Sequence, residues 1–279
     1  MDADLVRRLV AAQFPQWAGL PVRPVVPGGH DNRTFRLGDE LSVRFPSGEA
    51  YALQVGKEHR WLPVLAPRLP LAIPEPVARG VPGEGYPFEW SVYRWLDGSP
   101  ATAATIRDPL ALAVSLARFL RALAAAPADG GPLPGPHNFH RGGSLRFYEA
   151  ETLAVLDSLG PRVPRSECLA IWERAAASEW ERPPVWFHGD VAEGNLLLRD
   201  GRLAAVIDFG TSGTGDPACD VVIAWTLLRG SARAAFREAL GWDEATWARG
   251  AGWALWKALI TDDQVTLGEL LADRRTAAG

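Results

Sequence analysis

The chain has 279 residues, a net charge of −4, and 47% hydrophobic against 22% charged residues. It is long enough for two lobes or one large core, and its composition excludes a chain disordered along most of its length. The slight acidic balance lacks the basic excess of a nucleic-acid binder, though it would suit a cationic small substrate.

Residues 3–13 carry apolar side chains at helical spacing and predict an opening helix. Short β-type runs follow at 25–26, 33–37 and 41–45, punctuated by Pro27-Gly28-Gly29 and by Gly38-Asp39, which predicts a tight hairpin turn. Residues 50–62 read as a helix stopped by Pro63. Two more β-type runs, 75–79 and 88–96, end at Asp97-Gly98. Beyond that point the pattern turns helical at 109–126, 146–159 and 166–180, with a Pro- and Gly-rich loop over 127–143. Short β-type runs return over 184–210, and helices are predicted at 217–229, 231–240, 243–260 and 264–275. The expected organisation is a small β-rich part joined to a larger helical part near residues 95–98.

Cys168 and Cys219 have no CxxC or metal-type spacing and read as reduced, buried thiols. The first 17 residues lack the apolar core of a signal peptide, and no run of 18 apolar residues predicts a membrane span. The expectation is a cytoplasmic protein that engages neither nucleic acid nor membrane.

Residues 186–210, WFHGDVAEGNLLLRDGRLAAVIDFG, carry the chemistry. Asp190 and Asn195 lie five apart in a turn, and Asp208 ends the apolar run 203–207. Two strands flanking a turn would set Asn195 beside Asp208, offering an amide oxygen and a carboxylate to a magnesium ion. Magnesium takes hard oxygen ligands and keeps substrate phosphates in its shell. Asp190 could then accept the proton of an incoming hydroxyl. Phosphoryl transfer asks for positioning, charge neutralisation and such a carboxylate.

His-Gly-Asp-x-x-x-x-Asn followed by Asp-Phe-Gly resembles the catalytic and metal-binding loops of the protein-kinase-like fold. With Gly215-Asp216-Pro217 and Asp220 downstream, the pattern is similar to the aminoglycoside phosphotransferase and choline kinase branch. The resemblance implies an α+β, bilobal fold, with an N-lobe over 1–96 and a mostly helical C-lobe over 97–279. It implies Asp190 as the catalytic carboxylate, Asn195 and Asp208 as magnesium ligands, and His188, Asp216 and Asp220 as braces of the catalytic loop. Asp216 before Pro217 also reads as a helix cap, and Asp220 equally as a solvated helix face.

Upstream the resemblance makes VPGGHDNRTFRL the hairpin over the nucleotide phosphates, with Gly28 and Gly29 allowing close approach. Arg44 stands where this fold places a phosphate-gripping lysine, and Glu58 fits its helix partner. Lys57 is an alternative phosphate contact, and a plain surface ion pair an alternative for Arg44 and Glu58. Backbone groups from Arg94 to Leu96 would meet the purine. Glu193, Asp262 and Asp263 are candidate acidic contacts for an amine-bearing acceptor, against a solvated reading for the last two.

The expected function is ATP- or GTP-dependent phosphorylation of a small-molecule hydroxyl, foremost on an aminoglycoside-type or other antibiotic. The alternatives are a metabolic kinase of an amino alcohol or sugar, a non-catalytic nucleotide-binding pseudokinase, and a metal-dependent hydrolase using His188 and Asp190.

Overall fold

Short apolar runs in the first third of the chain form strands, and two helices accompany them. The computed structural model describes residues 1–26 and 28–278. Helix α1 (Ala3–Gln13) begins at Asp2, whose side chain accepts from the Leu5 amide at 2.9 Å. Strands β1 (Val22–Pro24), β2 (Asn32–Leu37) and β3 (Leu41–Pro46) precede helix α2 (Glu49–Leu65); β4 (Pro76–Gly80) and β5 (Trp90–Arg94) follow it. They form one antiparallel sheet in the order β1-β2-β3-β5-β4. The β2–β3 hairpin closes Leu37 onto Leu41, and Gly38 supplies the left-handed turn residue at φ 61°.

Two expectations are corrected here. The first strand lies at 22–24 rather than 25–26, because pairing with 35–37 sets its register and overrides local β preference. Pro63 does not stop α2, which runs on to Leu65. Leu62 and Leu65 are buried in the larger core, and that anchorage offsets the lost backbone donor.

The rest of the chain is mostly helical. Strand β6 (Ser99–Pro100) leads to α3 (Pro109–Ala124), α4 (Glu149–Leu159) and α5 (Arg165–Ala176). Strands β7 (Val185–Phe187), β8 (Leu196–Arg199), β9 (Arg202–Val206) and β10 (Gly213–Gly215) follow. Helices α6 (Ile223–Thr226), α7 (Gly230–Leu240), α8 (Glu244–Ile260) and α9 (Gln264–Ala278) close the fold. The helix expected over 217–229 is a 3₁₀ turn at Pro217–Val222 followed by the single turn of α6.

One core joins α1 to the sheet through Val6, Phe35, Phe45 and Trp90; the larger one lies among α3, α5, α7 and α8. Leu62, Leu65, Ile73 and Tyr93 belong to the larger core, so α2 and the end of the sheet bind the two parts together. Ala72 reinforces this by bonding Ala204 and Val206 beside β9. Among the described residues no helix is long and apolar enough to cross a membrane.

Candidate active site

Short strands and the turns at their ends assemble the site. Strand β7 delivers His188-Gly189-Asp190, and the β8–β9 hairpin pairs Leu196 with Val206. Its open end sets the Ile207 amide 2.8 Å from the Asn195 carbonyl, which brings Asn195 alongside Asp208. Asp208 adopts a left-handed backbone at φ 67°. Non-glycine residues accept that conformation at a cost, and it clusters at functional positions.

The loop carrying Asp190 is held from behind. Asp220 accepts from the His188 amide at 2.8 Å and the Gly189 amide at 2.7 Å. Burial pushes the Asp220 carboxyl up to about 7, against the pull of those two amides. His188 is fully buried; its Nε2 donates to the Ile207 carbonyl at 3.0 Å, and its Nδ1 accepts from the Asp190 amide at 3.2 Å. That pattern fixes the neutral tautomer, and burial pulls its pKa below the ordinary value. Gly189 sits at φ 87°, and a Cβ there would meet the Thr211 carbonyl at 2.6 Å, so only glycine fits between His188 and Asp190.

Asp190 is half-buried. Its Oδ1 accepts from Lys257 Nζ at 2.9 Å and its Oδ2 from Asn195 Nδ2 at 3.2 Å. Asn195 Nδ2 also donates to the Asp190 carbonyl at 2.9 Å. With its nitrogen committed, Asn195 presents its amide oxygen as the free ligand atom. That oxygen and the Asp208 carboxylate are hard donors of the kind magnesium takes, and a site sharing its metal with phosphates needs few protein ligands. The residues fit such an ion.

Arg44 Nη2 donates to Asp208 Oδ1 at 2.8 Å, while Nη1 lies 3.7 Å from Glu58 Oε1. Burial pushes Asp208 up, but the guanidinium outweighs it and holds the carboxyl below its usual range. Glu58 is buried and accepts from the Tyr93 hydroxyl, so the Arg44–Glu58 pair is not a surface contact. Lys57 leaves another face of α2 and forms no ion pair among the described residues. It donates to the carbonyls of Gly210 at 2.5 Å and Ser212 at 2.8 Å, tying α2 to the segment after Asp208. Burial pulls its pKa down to about 7, opposed by Glu58 and Asp208.

Other expected residues fall elsewhere. Gly28 and Gly29 lie in the loop between β1 and β2 with no left-handed φ, and Pro27 is outside the described residues. In the same loop burial, then Asp208, raises the Asp31 carboxyl, a neighbour sequence reasoning missed. The Arg94 amide bonds the Glu75 carbonyl at 3.0 Å and the Trp95 amide that of Glu40 at 2.7 Å, which leaves the Leu96 amide as the one of the three without a bond among the described residues. Asp216 does not bond the catalytic loop. It caps its own turn at the Ala218 amide and forms a buried pair with Arg249 of α8 at 2.6 Å.

Of the three acidic candidates for an amine-bearing acceptor, Asp262 and Asp263 are engaged elsewhere and Glu193 is not. Asp262 pairs with Arg162 at 2.8 Å. Asp263 caps α9 at the Thr266 amide and hydroxyl, and Glu193 is exposed with no ion pair among the described residues. The side chains beside Asp190 are instead Arg141, Lys257, Trp253 and Trp256. No local signal marks Arg141 or Lys257, which lie 49 residues before and 67 after Asp190.

A hydrolytic metal centre on His188 and Asp190 is ruled out, since both ring nitrogens of His188 are bonded within the fold. No cluster of three or more His, Cys, Asp or Glu suited to a metal exists among the described residues.

Residues 23–253 match the model of the phosphotransferase enzyme family. The chain belongs to that family. As a family member it is a phosphotransferase with a hydroxyl acceptor, and its fold is the protein-kinase-like, bilobal α+β fold. Solved structures agree on the fold. The GDP and kanamycin complex of APH(2")-IIia superposes with a TM-score of 0.73 at 20% identity, covering 98% of each chain. The macrolide 2'-phosphotransferase MphH from Brachybacterium faecium gives 0.64 at 22%, covering 96% of this phosphotransferase and 97% of that chain. The streptomycin-ATP ternary complex of APH(2")-IIa gives 0.62 at 16%, covering 93% and 90%. No curated protein matches the sequence significantly.

Proposed function

We propose that this phosphotransferase moves the γ-phosphoryl group of magnesium-bound ATP or GTP to a hydroxyl of a small molecule, with Asp190 as the catalytic carboxylate. The observation that carries this reading is the meeting of Asp190 with Asn195, and of Asn195 with the Ile207-Asp208 segment, at the open end of the β8–β9 hairpin, with Asp208 in a left-handed backbone. Asn195 and Asp208 would hold magnesium, which supplies charge neutralisation at the phosphates. Asp190 Oδ1 or Oδ2 takes the acceptor proton as the new O–P bond forms and the bond to the leaving nucleoside diphosphate breaks. Asn195 Nδ2 orients that carboxylate, while Asp220 and His188 fix the loop beneath it. Arg44 reaches the phosphates from β3, with Glu58 and Tyr93 setting its direction. The Leu96 backbone is the candidate purine contact, and Gly28 and Gly29 sit in the loop facing the phosphates. With an N-lobe over 1–96 and a C-lobe over 97–279 as the proposed division, this site would lie at their join.

The finer expectation, an aminoglycoside-type or other antibiotic acceptor, draws on the kanamycin, streptomycin and macrolide enzymes among the structural neighbours. A second reading, nucleotide binding without transfer, is favoured by one contact only, the Arg44 guanidinium seated on the Asp208 carboxylate. A coupled transfer assay with ATP or GTP, magnesium and a panel of antibiotics, sugars and amino alcohols separates them. Turnover that disappears in Asp190→Ala supports transfer. Nucleotide binding with no turnover on any hydroxyl class supports the second reading.

A further inference from the structure

Lys257 forms the only ion pair that Asp190 makes among the described residues, and the reading above gives it no task. Of the 29 lysines and arginines in the chain only two are lysine, and both lie against this site. Lys57 bonds the carbonyls after Asp208, and Lys257 bonds Asp190 itself. Lys257 stands in the last turn of α8, where a cation also suits the helix dipole. That role asks for no particular partner, yet Lys257 Nζ lies 2.9 Å from one carboxylate oxygen.

An aspartate carboxylate turns easily about its last side-chain bond, because that torsion has a broad minimum. A donor on one oxygen leaves its plane free to rock, whereas donors on both oxygens from separate elements fix it. Asn195 Nδ2 holds Oδ2 from the turn before β8, and Lys257 holds Oδ1 from α8. The neighbouring cation, Arg141, is engaged elsewhere: its Nε donates to the Gly189 carbonyl, and its guanidinium stacks on Trp253 and Trp256. Beside Asp190 the side chains of Val191, Val222, Trp253 and Trp256 leave a space of about 10 Å³, room for a single water at most. The carboxylate has no room to swing into it. Helix α8 is itself anchored two turns before Lys257 by the buried Arg249–Asp216 pair.

We infer that Lys257 is a positioning residue for phosphoryl transfer, which from α8 locks the Asp190 carboxylate in the orientation that meets the acceptor hydroxyl. The inference rests on the phosphoryl-transfer reading for the role of Asp190. A misplacement of about 1 Å near the reacting atoms can cost about 10²-fold in rate, so the loss of Lys257 falls on kcat and spares nucleotide binding.

Magnesium-dependent hydrolysis of ATP and of GTP tests this, with water in place of the acceptor hydroxyl. Lys257→Met is expected to lower kcat by about 10–100-fold and to leave KM for the triphosphate within about 3-fold. The side chain is 33% exposed, so the substituted chain keeps its fold. Lys257→Arg, which keeps the charge on a bulkier, forked head, should recover at least about 5-fold of that loss. In an Asp190→Ala background, Lys257→Met should change kcat by less than about 2-fold, because nothing is left to position. A lysine serving only the helix would lower the melting temperature and leave kcat alone. Unchanged kcat in Lys257→Met, losses that multiply in the double variant, or Lys257→Arg no faster than Lys257→Met overturns the inference. Hydrolysis absent from the native chain, or indifferent to Asp190→Ala, would sink the transfer reading and the inference with it.

Discussion

Asp190 is gripped by Lys257 on one oxygen and Asn195 on the other, and it is half open to solvent. Removing its carboxylate therefore takes little from the folded state. Asp190→Ala is expected to lower turnover by about 10²–10⁴-fold, the range for a positioned acid–base group, with the melting temperature nearly unchanged. Near-normal turnover in a transfer assay would remove Asp190 from its assigned role. Asp220 makes the opposite case, because its contribution is structural and pH-dependent. Its folded pKa, near 7, is raised above the ordinary carboxylate value of 3.8. The native chain therefore holds a proton there that the unfolded chain has released between those values. This stabilising contribution is complete below about pH 4 and is lost as pH rises through about 7. Subtracting the denaturation profile of Asp220→Asn from that of the wild type should leave a difference that falls over this window. A flat difference would contradict the assignment.

Helix α8 ties several parts of the site together. Arg249 reaches Asp216 in the turn after β10, Trp253 and Trp256 lie under Arg141, and Lys257 reaches Asp190. The spacings of four, three and one between these residues put them along one side of the helix. Both members of the Arg249–Asp216 pair are buried, so deleting one leaves an uncompensated charge. Arg249→Met is expected to cost about 3–5 kcal/mol of stability, read as a lower denaturation midpoint. A loss under about 1 kcal/mol, the range of exposed pairs, would show that water reaches the carboxylate. Lys57 makes an analogous tie on the other side of the site, from α2 to the carbonyls after Asp208.

The two cores meet around α2 and the end of β5, with Asp208 and Arg44 facing each other across that junction. Magnesium and nucleotide bound there should raise the unfolding temperature with ligand concentration, as any ligand selective for the native state does. In Asp208→Asn the backbone keeps a residue tolerant of the left-handed conformation, so a lost shift reports the carboxylate. An unchanged shift with and without magnesium would contradict a metal role for Asp208.

Much of this was legible in the sequence. The order of strands and helices followed from periodicity and punctuation, and the spacing from His188 to Asp208 announced the hairpin that joins Asn195 to Asp208. Pro63 misled because tertiary burial of Leu62 and Leu65 outweighs one missing donor. The acceptor side was not legible. Arg141 comes from an irregular loop and Lys257 from a distant helix, and only the folded chain brings them to Asp190.

Cys168 and Cys219 are both buried, and burial pushes both thiols up. The sequence holds no other cysteine, so neither native thiol competes readily for a maleimide at neutral pH. A dye pair on cysteines introduced at Leu53 of α2, 53% exposed, and Val265 of α9, 68% exposed, would therefore label cleanly. Energy transfer between the two dyes would report the separation of α2 and α9, with and without nucleotide, without first stripping the protein of its own sulfur.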